Sequence, residues 1–214
     1  MQSTVMEDLE KNSISKFNSW AKTYDSPSIH HFFFTRSNKA IVKLLPQILE
    51  VSILDVGTGT GILIEQVLLK NKSAHLFGVD ISPEMVKKAK SKFQEKNNVM
   101  IALGSANKLP YKDNSFEFLT CANSFHHHPD SIQSLKEMKR VLKPGGKVIL
   151  SDGCLDGFPR QFVFKIENNI NKEGKVHRYT KEQTKDLFIQ VGFINISQQY
   201  SLHFNLITVG EKRS

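Results

Sequence analysis

The sequence predicts an α/β fold in which helices cover both faces of a mostly parallel sheet. Short apolar runs alternate with segments of helical periodicity over most of the chain, and this alternation is typical of parallel strands joined by crossover helices. A glycine-rich segment, VGTGTG, turns the first apolar run abruptly into the first periodic segment. The last two apolar runs, FINISQQY and LHFNLITVGE, have no helical segment between them and predict a closing antiparallel pair.

The predicted elements follow one another in a regular order. Two helices are expected before the sheet, at 8–22 and 37–45. Strands are expected at 51–56, 74–79, 99–103, 116–122 and 147–151. Crossover helices are expected between these strands, at 61–70, 83–96 and 131–142. A last helix opens at Thr180 and closes at Gly192, ahead of the antiparallel pair.

Capping signals fix several of these boundaries. Ser82 before Pro83 combines a capping side chain with a proline at the first helical position. Residues 180–183 read TKEQ, which is a capping-box pattern. The run KPGG at 143–146 predicts the end of the third crossover helix and a turn into the next strand.

Composition and charge narrow the class of protein. The chain has 214 residues, enough for one α/β domain, and its 39% hydrophobic and 23% charged residues are globular values. The net charge is +8, but the lysines of 83–96 lie on the solvated face of an amphipathic helix, so no nucleic-acid partner is expected. The apolar runs are too short to predict a transmembrane segment. Cys121 and Cys154 give no disulfide framework, so a cytoplasmic location is expected.

The glycine-rich loop and a following carboxylate predict a nucleoside site. Residues 51–61 read VSILDVGTGTG, and Asp80 stands nineteen positions after Gly61, at the end of the next apolar run. Gly57, Gly59 and Gly61 let the backbone around Thr58 pass close to a ligand. A carboxylate at this distance is placed to accept hydrogen bonds from both ribose hydroxyls.

Two residues of the loop indicate which nucleoside is bound. A pyrophosphate-binding loop would have its third glycine at position 62, where this chain has Ile62. Asp55 stands at the mouth of the loop, where a fixed negative charge would repel a pyrophosphate at short range. The same charge suits a ligand with an ammonium and a sulfonium group. S-adenosylmethionine is such a ligand, so it is the expected cofactor.

Four segments carry a resemblance to a known family. ILDVGTGTG, GVDISPEMV, KLPYKDNSFEFLTCANSFHHHPD and RVLKPGGKVILSD stand in this order, and together they resemble a class I S-adenosylmethionine-dependent methyltransferase. The branch they resemble is that of the ubiquinone/menaquinone-biosynthesis and related small-molecule methyltransferases. The resemblance implies a Rossmann-like three-layer sandwich with a mostly parallel seven-stranded sheet and an antiparallel C-terminal strand. It also implies S-adenosylmethionine-dependent methyl transfer to a small or medium-sized molecule.

The same resemblance implies the division of the chain. One methyltransferase domain would occupy residues 1–214. Its parts would be N-terminal lid helices at 1–45, a cofactor-binding core at 46–151, a substrate cap at 152–179, and a closing helix and strand pair at 180–214. The sequence sets no oligomeric state.

Around the cofactor, the resemblance implies contacts to the adenosine. Asp80 would bind the ribose, and Tyr24 would lean over the cofactor from the lid. Ile81 and Met85 would pack on the adenine faces, although both also suit ordinary core positions at a helix entry.

Two further positions complete the implied cofactor site. The family commonly has an acidic residue where this chain has Ser105, so the serine hydroxyl or the Ala106 amide would recognise the adenine edge. Asn123 follows the fourth predicted strand, and its side chain and backbone carbonyl are candidates for holding the methionine ammonium.

The run His126-His127-His128 is the candidate for chemistry on the acceptor side. Three consecutive histidines cannot converge on one ion from a helix start, so no metal is expected. The family often has two histidines here, and His127 is the candidate general base. The alternative is an ordinary helix-entry loop in which one histidine is packed and the others are exposed.

Two other functions stay open on the sequence alone. One is a protein that binds S-adenosylmethionine or S-adenosylhomocysteine without methyl transfer, which the loop and Asp80 cannot distinguish from an enzyme. The other is an NAD-dependent oxidoreductase, which Ile62 and Asp55 oppose.

Overall fold

The computed structural model of the chain describes residues 2–21, 24–26, 29–46, 50–156, 176–201 and 205–214, and for 2–10 and 29–34 it describes the backbone alone. The α-helices of these segments are α1 (Gln2–Ala21), α2 (Ile29–Leu44), α3 (Ile62–Lys70), α4 (Pro83–Lys92), α5 (Ser131–Val141) and α6 (Lys181–Val191). The strands are β1 (Ser52–Val56), β2 (His75–Asp80), β3 (Val99–Leu103), β4 (Phe116–Ala122), β5 (Leu142–Gly153), β6 (Phe193–Tyr200) and β7 (Asn205–Lys212).

The strands form one seven-stranded sheet in the order β3-β2-β1-β4-β5-β7-β6. Strands β1 to β5 pair in parallel, and β7 lies antiparallel between β5 and β6. The predicted Rossmann-like sheet with an antiparallel C-terminal end is therefore confirmed. The strand order changes direction between β1 and β4, and such a switch point leaves a crevice at the carboxyl ends of the strands.

Helices pack on both faces of this sheet. Leu54 of β1 belongs to a buried cluster that includes Leu135 and Met138 of α5. Its neighbour Ile53 belongs to a second cluster that includes Ile41 of α2 and residues of α3. Successive strand residues point to opposite faces, so these two clusters form the two apolar layers of a three-layer sandwich.

The capping predictions at Ser82 and Thr180 are confirmed by the side-chain geometry. The Ser82 hydroxyl accepts a hydrogen bond from the Met85 amide at 3.2 Å, directly ahead of Pro83. Thr180 and Gln183 exchange the two hydrogen bonds of a capping box at the start of α6. Strands β3 and β4 have the predicted bounds, because each is a short apolar run bounded by polar residues.

Four predicted boundaries were clearly wrong. Helix α1 begins at Gln2 rather than at 8. Helix α2 begins at Ile29 rather than at 37. Helix α4 ends at Lys92 rather than at 96, and the Phe93 ring packs beneath Gly61.

Strand β5 begins at Leu142, directly after α5, so the run KPGG lies within the strand instead of forming a turn before it. The pairing with β4 is irregular between Phe116 and Phe118, and Gly145 has a φ of 74°. A Cβ on Gly146 would lie 3.0 Å from the Glu117 carbonyl oxygen. The glycines therefore let the irregular strand pass close to its neighbour, as in a β-bulge.

The ends of the predicted substrate cap meet beside the sheet. Cys154 pairs with Tyr179 in an isolated bridge, and the Leu155 amide donates to the Tyr179 carbonyl at 3.1 Å. Residues 157–175, which include most of the predicted cap, lie outside the described residues. No helix of the described segments is long and apolar enough to cross a membrane.

Candidate active site

A cavity of about 730 Å³, including its open mouth, lies at the carboxyl ends of β1, β2 and β4. The switch point of the strand order is at this edge of the sheet, and helix α1 closes one side through Phe17. Most of the residues predicted for the site line this cavity. They are Tyr24, Gly57, Gly59, Asp80, Ile81, Met85, Ser105, Ala106, Asn123 and His127.

A smaller cavity adjoins it behind the glycine-rich loop. Asp55 and Thr58 line this second cavity, and Tyr24, Gly57 and Asn123 border both. Gly61 lines neither. We call the part around Asp55, Asp80 and the loop at 57–61 the acidic end, and the part around residues 124–128 the histidine end.

The glycine-rich loop is held against β2 by its backbone. The Gly57 and Thr58 amides both donate to the Val79 carbonyl, at 2.9 Å and 3.1 Å. Gly57 has a φ of 72°, and a Cβ there would lie 1.9 Å from the Ser124 hydroxyl oxygen. Any side chain at this position would therefore collide with the turn that begins the histidine end.

Gly61 has a different role from the other loop glycines. It is the N-cap of α3 with a φ of 83°, and a Cβ there would lie 2.4 Å from the Phe93 ring. Gly57 and Gly59 therefore border the cavity, whereas Gly61 lets a helix pack closely on the core.

Asp80 is held at the end of β2 by two backbone amides. Its Oδ2 accepts from the Gly59 amide at 2.8 Å, and its Oδ1 accepts from the Ser82 amide at 2.9 Å. The residue is 8% exposed and lines the main cavity. Burial raises the pKa of its carboxyl, although the two amide bonds act in the opposite direction.

Asp55 is buried at the end of β1, behind the loop. Its Oδ1 accepts from the Thr120 hydroxyl at 2.7 Å. Burial raises the pKa of the Asp55 carboxyl to about 7, in spite of its hydrogen bonds, and the charge of Asp80 raises it further. Asn38 of α2 lines the same small cavity, and its buried Oδ1 has no hydrogen-bond partner among the residues described.

Asn123 joins the end of β4 to the last strand and, through that strand, to helix α2. Its backbone has a φ of 52°, and its amide donates to the Ser151 carbonyl at 2.7 Å. Its side-chain Oδ1 accepts from Asn205 Nδ2 at 2.6 Å, and the same Asn205 nitrogen lies 2.9 Å from the Ser37 hydroxyl of α2. The side-chain oxygen predicted to hold a ligand therefore already has a protein partner.

Tyr24 lies over the loop and is half-buried. A Cβ on Gly59 would lie 3.6 Å from the Tyr24 ring, so the bare backbone of the loop faces that ring. Burial raises the pKa of the Tyr24 hydroxyl, and the charge of Asp80 adds to this effect.

The predicted adenine residues lie beyond Asp80. Met85 is 1% exposed, and Ile81 is half-buried beside it. The Ser105 hydroxyl oxygen accepts from the Asn107 amide at 3.2 Å, so it stabilises its own turn. Ala106 borders the cavity next to it.

The histidine end begins with a short 3-10 helix, Phe125–His127. The His127 ring borders the main cavity, and its centroid lies 5.0 Å from that of Phe17 in an edge-to-face arrangement. Burial lowers the pKa of His127 far below its usual value, and the charges of His126 and Lys16 act in the same direction. Burial also lowers the pKa of His128, to about 4.

Sequence reasoning missed the residues that support the histidine end. His126 Nδ1 lies 2.6 Å from Asp152 Oδ1, and the His126 amide donates to Asp152 Oδ2 at 2.8 Å. Asp152 stands at the carboxyl end of an apolar strand, as Asp80 does, and this shared pattern is a signal that the sequence contains. Phe17, Asn38 and Asn205 have no comparable signal. No group of three or more His, Cys, Asp or Glu in the described part of the chain is placed to hold a metal ion.

Comparison with known proteins agrees with this geometry. Residues 54–150 match the family model described as a methyltransferase domain. A demethylmenaquinone methyltransferase from Staphylococcus aureus is 31% identical over 165 residues, which cover 67% of this chain and 68% of that protein.

Two solved structures have the same fold. An S-adenosylmethionine-dependent methyltransferase from Thermotoga maritima has a TM-score of 0.74 and 22% identity, with 92% of this chain and 98% of that chain covered. One from Aquifex aeolicus has a TM-score of 0.72 and 21% identity, with 91% and 98% covered. The match to the methyltransferase domain and the Staphylococcus aureus relative agree with the cavity at the switch point. They show that the chain belongs to the class I S-adenosylmethionine-dependent methyltransferases and uses S-adenosylmethionine as its methyl donor.

Proposed function

We propose that the acidic end holds S-adenosylmethionine and that the histidine end receives a small or medium-sized acceptor molecule. The observation that carries this proposal is the continuity of the cavity. Asp80 and Gly59 border it at one end, and Phe17 and His127 border it at the other. A methyl donor and its acceptor need such a shared space, because the reacting atoms must meet in line.

The charges of the acidic end support a cationic ligand. Asp55 and Asp80 are both buried, and neither forms a salt bridge with any described residue. Their pKa values are raised, so a positive ligand nearby would stabilise the ionised carboxylates. S-adenosylmethionine carries an ammonium and a sulfonium group. A pyrophosphate would instead bring further negative charge, which argues against NAD.

The residues present fit the adenosine part of this donor. Each Asp80 oxygen accepts one backbone amide and keeps a lone pair for a ribose hydroxyl. Gly57 and Gly59 offer bare backbone beside it, and Tyr24 covers that backbone. Ile81, Met85, Ser105 and Ala106 border the space proposed for the adenine.

The smaller cavity fits the amino-acid part of the donor. Its polar atoms include the Asp55 carboxylate and the buried Asn38 Oδ1, which can both accept hydrogen bonds from a ligand. An ammonium group supplies three N–H donors and would satisfy them. Because Asn205 already binds the Asn123 side-chain oxygen, we assign the ammonium contact of Asn123 to its backbone carbonyl. Thr58 and Asp55 remain cofactor residues of this second cavity.

When bound, S-adenosylmethionine supplies a methyl group on a good leaving group. The chain therefore contributes alignment and the exclusion of water more than bond activation, and such positioning offers effective molarities of ~10⁵ M or more. Phe17 and His127 form an aromatic wall that suits a flat ring. The name of the Staphylococcus aureus relative supports an acceptor of the same kind, a hydroxylated naphthoquinone-type ring.

Two further parts of the proposal concern the rest of the chain. We assign residues 152–179 to a substrate cap, because the two described ends of this segment meet beside Asp152. We also propose a reducing, cytoplasmic location, since Cys121 and Cys154 are both buried and neither forms a disulfide among the described residues.

The proposal is tested in two steps. Calorimetry should detect micromolar binding of S-adenosylmethionine and S-adenosylhomocysteine and no binding of NAD. The protein is then incubated with S-adenosylmethionine and 1,4-naphthohydroquinone, and mass spectrometry should detect S-adenosylhomocysteine and a methylated ring. An alkyl thiol or amine in place of the hydroquinone should not react. A preference for NAD would contradict the assigned donor. Binding of the donor without turnover on any of these probes would contradict the proposed acceptor class.

A further inference from the structure

Asn205, at the start of β7, joins three other elements of the fold through one side-chain nitrogen. Its Nδ2 donates to Asn123 Oδ1, just beyond β4, at 2.6 Å and to the Ser37 hydroxyl of α2 at 2.9 Å. The Ser37 Oγ atom lies 3.3 Å from Ser151 Oγ in β5. An amide nitrogen has two N–H groups, so it can donate to both partners at once. We call Ser37, Asn123, Ser151 and Asn205 the polar bridge.

The polar bridge lies directly behind the smaller cavity. Asn123 borders that cavity, and so does Asn38, which follows Ser37 in α2. Ser37 and Asn205 are outside the described lining of both cavities. The bridge can therefore influence a ligand in the smaller cavity only through Asn123 and Asn38.

The bridge fixes the backbone of Asn123 as well as its side chain. The Asn123 amide donates to the Ser151 carbonyl at 2.7 Å, and Asn205 holds the side-chain oxygen. The backbone between these two anchors has a φ of 52°, in the left-handed region that residues other than glycine rarely adopt. No described residue donates a hydrogen bond to the Asn123 carbonyl. That oxygen is therefore available to a ligand, and its direction depends on the bridge.

The same bridge fixes Asn38 through helix α2. Ser37 and Asn38 are successive residues of this helix and are 3% and 5% exposed. The hydrogen bond between Asn205 and Ser37 therefore also sets the position of Asn38. The buried Oδ1 of Asn38 has no hydrogen-bond partner among the described residues, and the buried Asp55 carboxylate lines the same cavity. An ammonium group has three N–H donors, enough for these two groups and the Asn123 carbonyl.

We infer that Asn205 is a positioning residue of the donor site, which holds the Asn123 carbonyl and the Asn38 amide around the ammonium of S-adenosylmethionine. This inference rests on the proposed function, in which the amino-acid part of the donor occupies the smaller cavity. Recognition of that part depends on a residue of the last strand that does not touch the ligand. The adenosine contacts at Asp80 do not involve the bridge.

The test compares two ligands that differ only in the part that the bridge serves. S-adenosylhomocysteine has the amino-acid part, whereas 5′-methylthioadenosine has the same adenosine and sulfur with a methyl group in its place. Calorimetry measures the Kd of both ligands for the parent and for Asn205→Ala. The variant should bind S-adenosylhomocysteine about tenfold more weakly, the size of one lost hydrogen bond to a charged group, and 5′-methylthioadenosine within about twofold of the parent value.

A second variant and a control separate positioning from general stability. Ser37→Ala removes only the arm of the bridge that reaches α2. It should weaken S-adenosylhomocysteine binding by about fivefold and add no further loss to Asn205→Ala, because side chains that act as one unit are not additive. Gln198→Ala is the matched control. Its Nε2 also donates to two partners, the Lys181 carbonyl and the Thr208 hydroxyl, but these are outside the described lining of both cavities. The control should bind both ligands as the parent does.

The outcomes separate the inference from the proposed function. A parent that prefers S-adenosylhomocysteine, with an Asn205→Ala variant that keeps the full preference, would leave the donor site in place and overturn the positioning role. Equal losses for both ligands in Asn205→Ala and in Ser37→Ala would show that the bridge only stabilises the fold, and would also overturn it. A parent that binds both ligands equally well would contradict the placement of the ammonium in the smaller cavity, and the positioning role with it.

Discussion

The acidic end and the histidine end each have buried carboxylates at the carboxyl ends of strands, but their charges are balanced differently. Asp55 and Asp80 lie at the ends of β1 and β2, and their pKa values are raised by burial. Asp152 lies at the end of β5, equally buried, and its pKa is lowered by His126. The difference is the neighbouring imidazole, because burial by itself raises the pKa of any carboxyl.

This comparison shows which end depends on a ligand to balance the charge of its carboxylates. At the histidine end the protein supplies its own counter-charge, so the pair forms without an acceptor. At the acidic end the described residues supply hydrogen-bond donors but no cation, so the charge of the bound molecule completes the site. A cationic methyl donor would therefore be selected by electrostatics as well as by shape.

The largest expected effect within this comparison comes from Asp80→Ala. The variant leaves the ribose hydroxyls without their charged partner and should weaken S-adenosylmethionine binding by about 1.5–3 kcal/mol, or roughly 10- to 150-fold. Calorimetry measures the loss. Asp113→Ala, an exposed carboxylate beyond the opposite edge of the sheet, is the control. An affinity change below threefold in a folded Asp80→Ala variant would remove Asp80 from the ribose site.

A smaller effect on binding, together with a distinctive pH dependence of stability, is expected from Asp55→Asn. The pKa of Asp55 is raised in the folded state from 3.8 to about 7, so the folded chain without ligand holds a proton that the unfolded chain releases. The free energy of unfolding therefore falls as the pH rises from about 4 to about 7, by up to ~4 kcal/mol at 1.36 kcal/mol per pH unit.

Asparagine removes this penalty and keeps an oxygen for the Thr120 hydroxyl. The ligand-free variant should have a higher Tm than the parent at pH 8 and a smaller gain at pH 5. It should also bind S-adenosylmethionine about tenfold more weakly, since a hydrogen bond to a charged group is lost. An equal gain in Tm at both pH values, or an unchanged affinity, would mean that Asp55 is not the charge that the ligand balances.

The smallest effect is expected from His127→Ala. His127 is the residue that the sequence predicts to be the general base. Burial and nearby positive charges keep His127 neutral, so we expect it to act as part of the aromatic wall with Phe17. Turnover should fall by less than about tenfold with an unchanged pH profile, and His127→Phe should retain most of the activity. A profile whose acid limb moves in His127→Ala alone would return the role of base to His127.

The sequence by itself determined the sheet and the acidic end, because both depend on short-range signals. Alternating strand and helix patterns gave the order of the elements, and the caps at Ser82 and Thr180 set two helix starts. The pairing of a glycine loop with Asp80 needs only one strand–helix–strand unit, and the structure indeed brings the Gly59 amide to the Asp80 carboxylate. Local chemistry was sufficient here, since these contacts follow from a single crossover.

Contacts between distant segments were decided only by the tertiary structure. The three loop glycines are alike in sequence, but Gly57 faces Ser124 while Gly61 faces Phe93, and only packing distinguishes them. The KPGG run signals a helix end, but Leu142 before it pairs with Phe116 and Lys147 after it pairs with Phe118, so the run was drawn into β5. Nothing local pairs His126 with Asp152. Their contact exists because β4 and β5 are neighbours in the sheet, which brings the turn after one strand against the end of the other, and burial then sets the pKa of each group according to that neighbour.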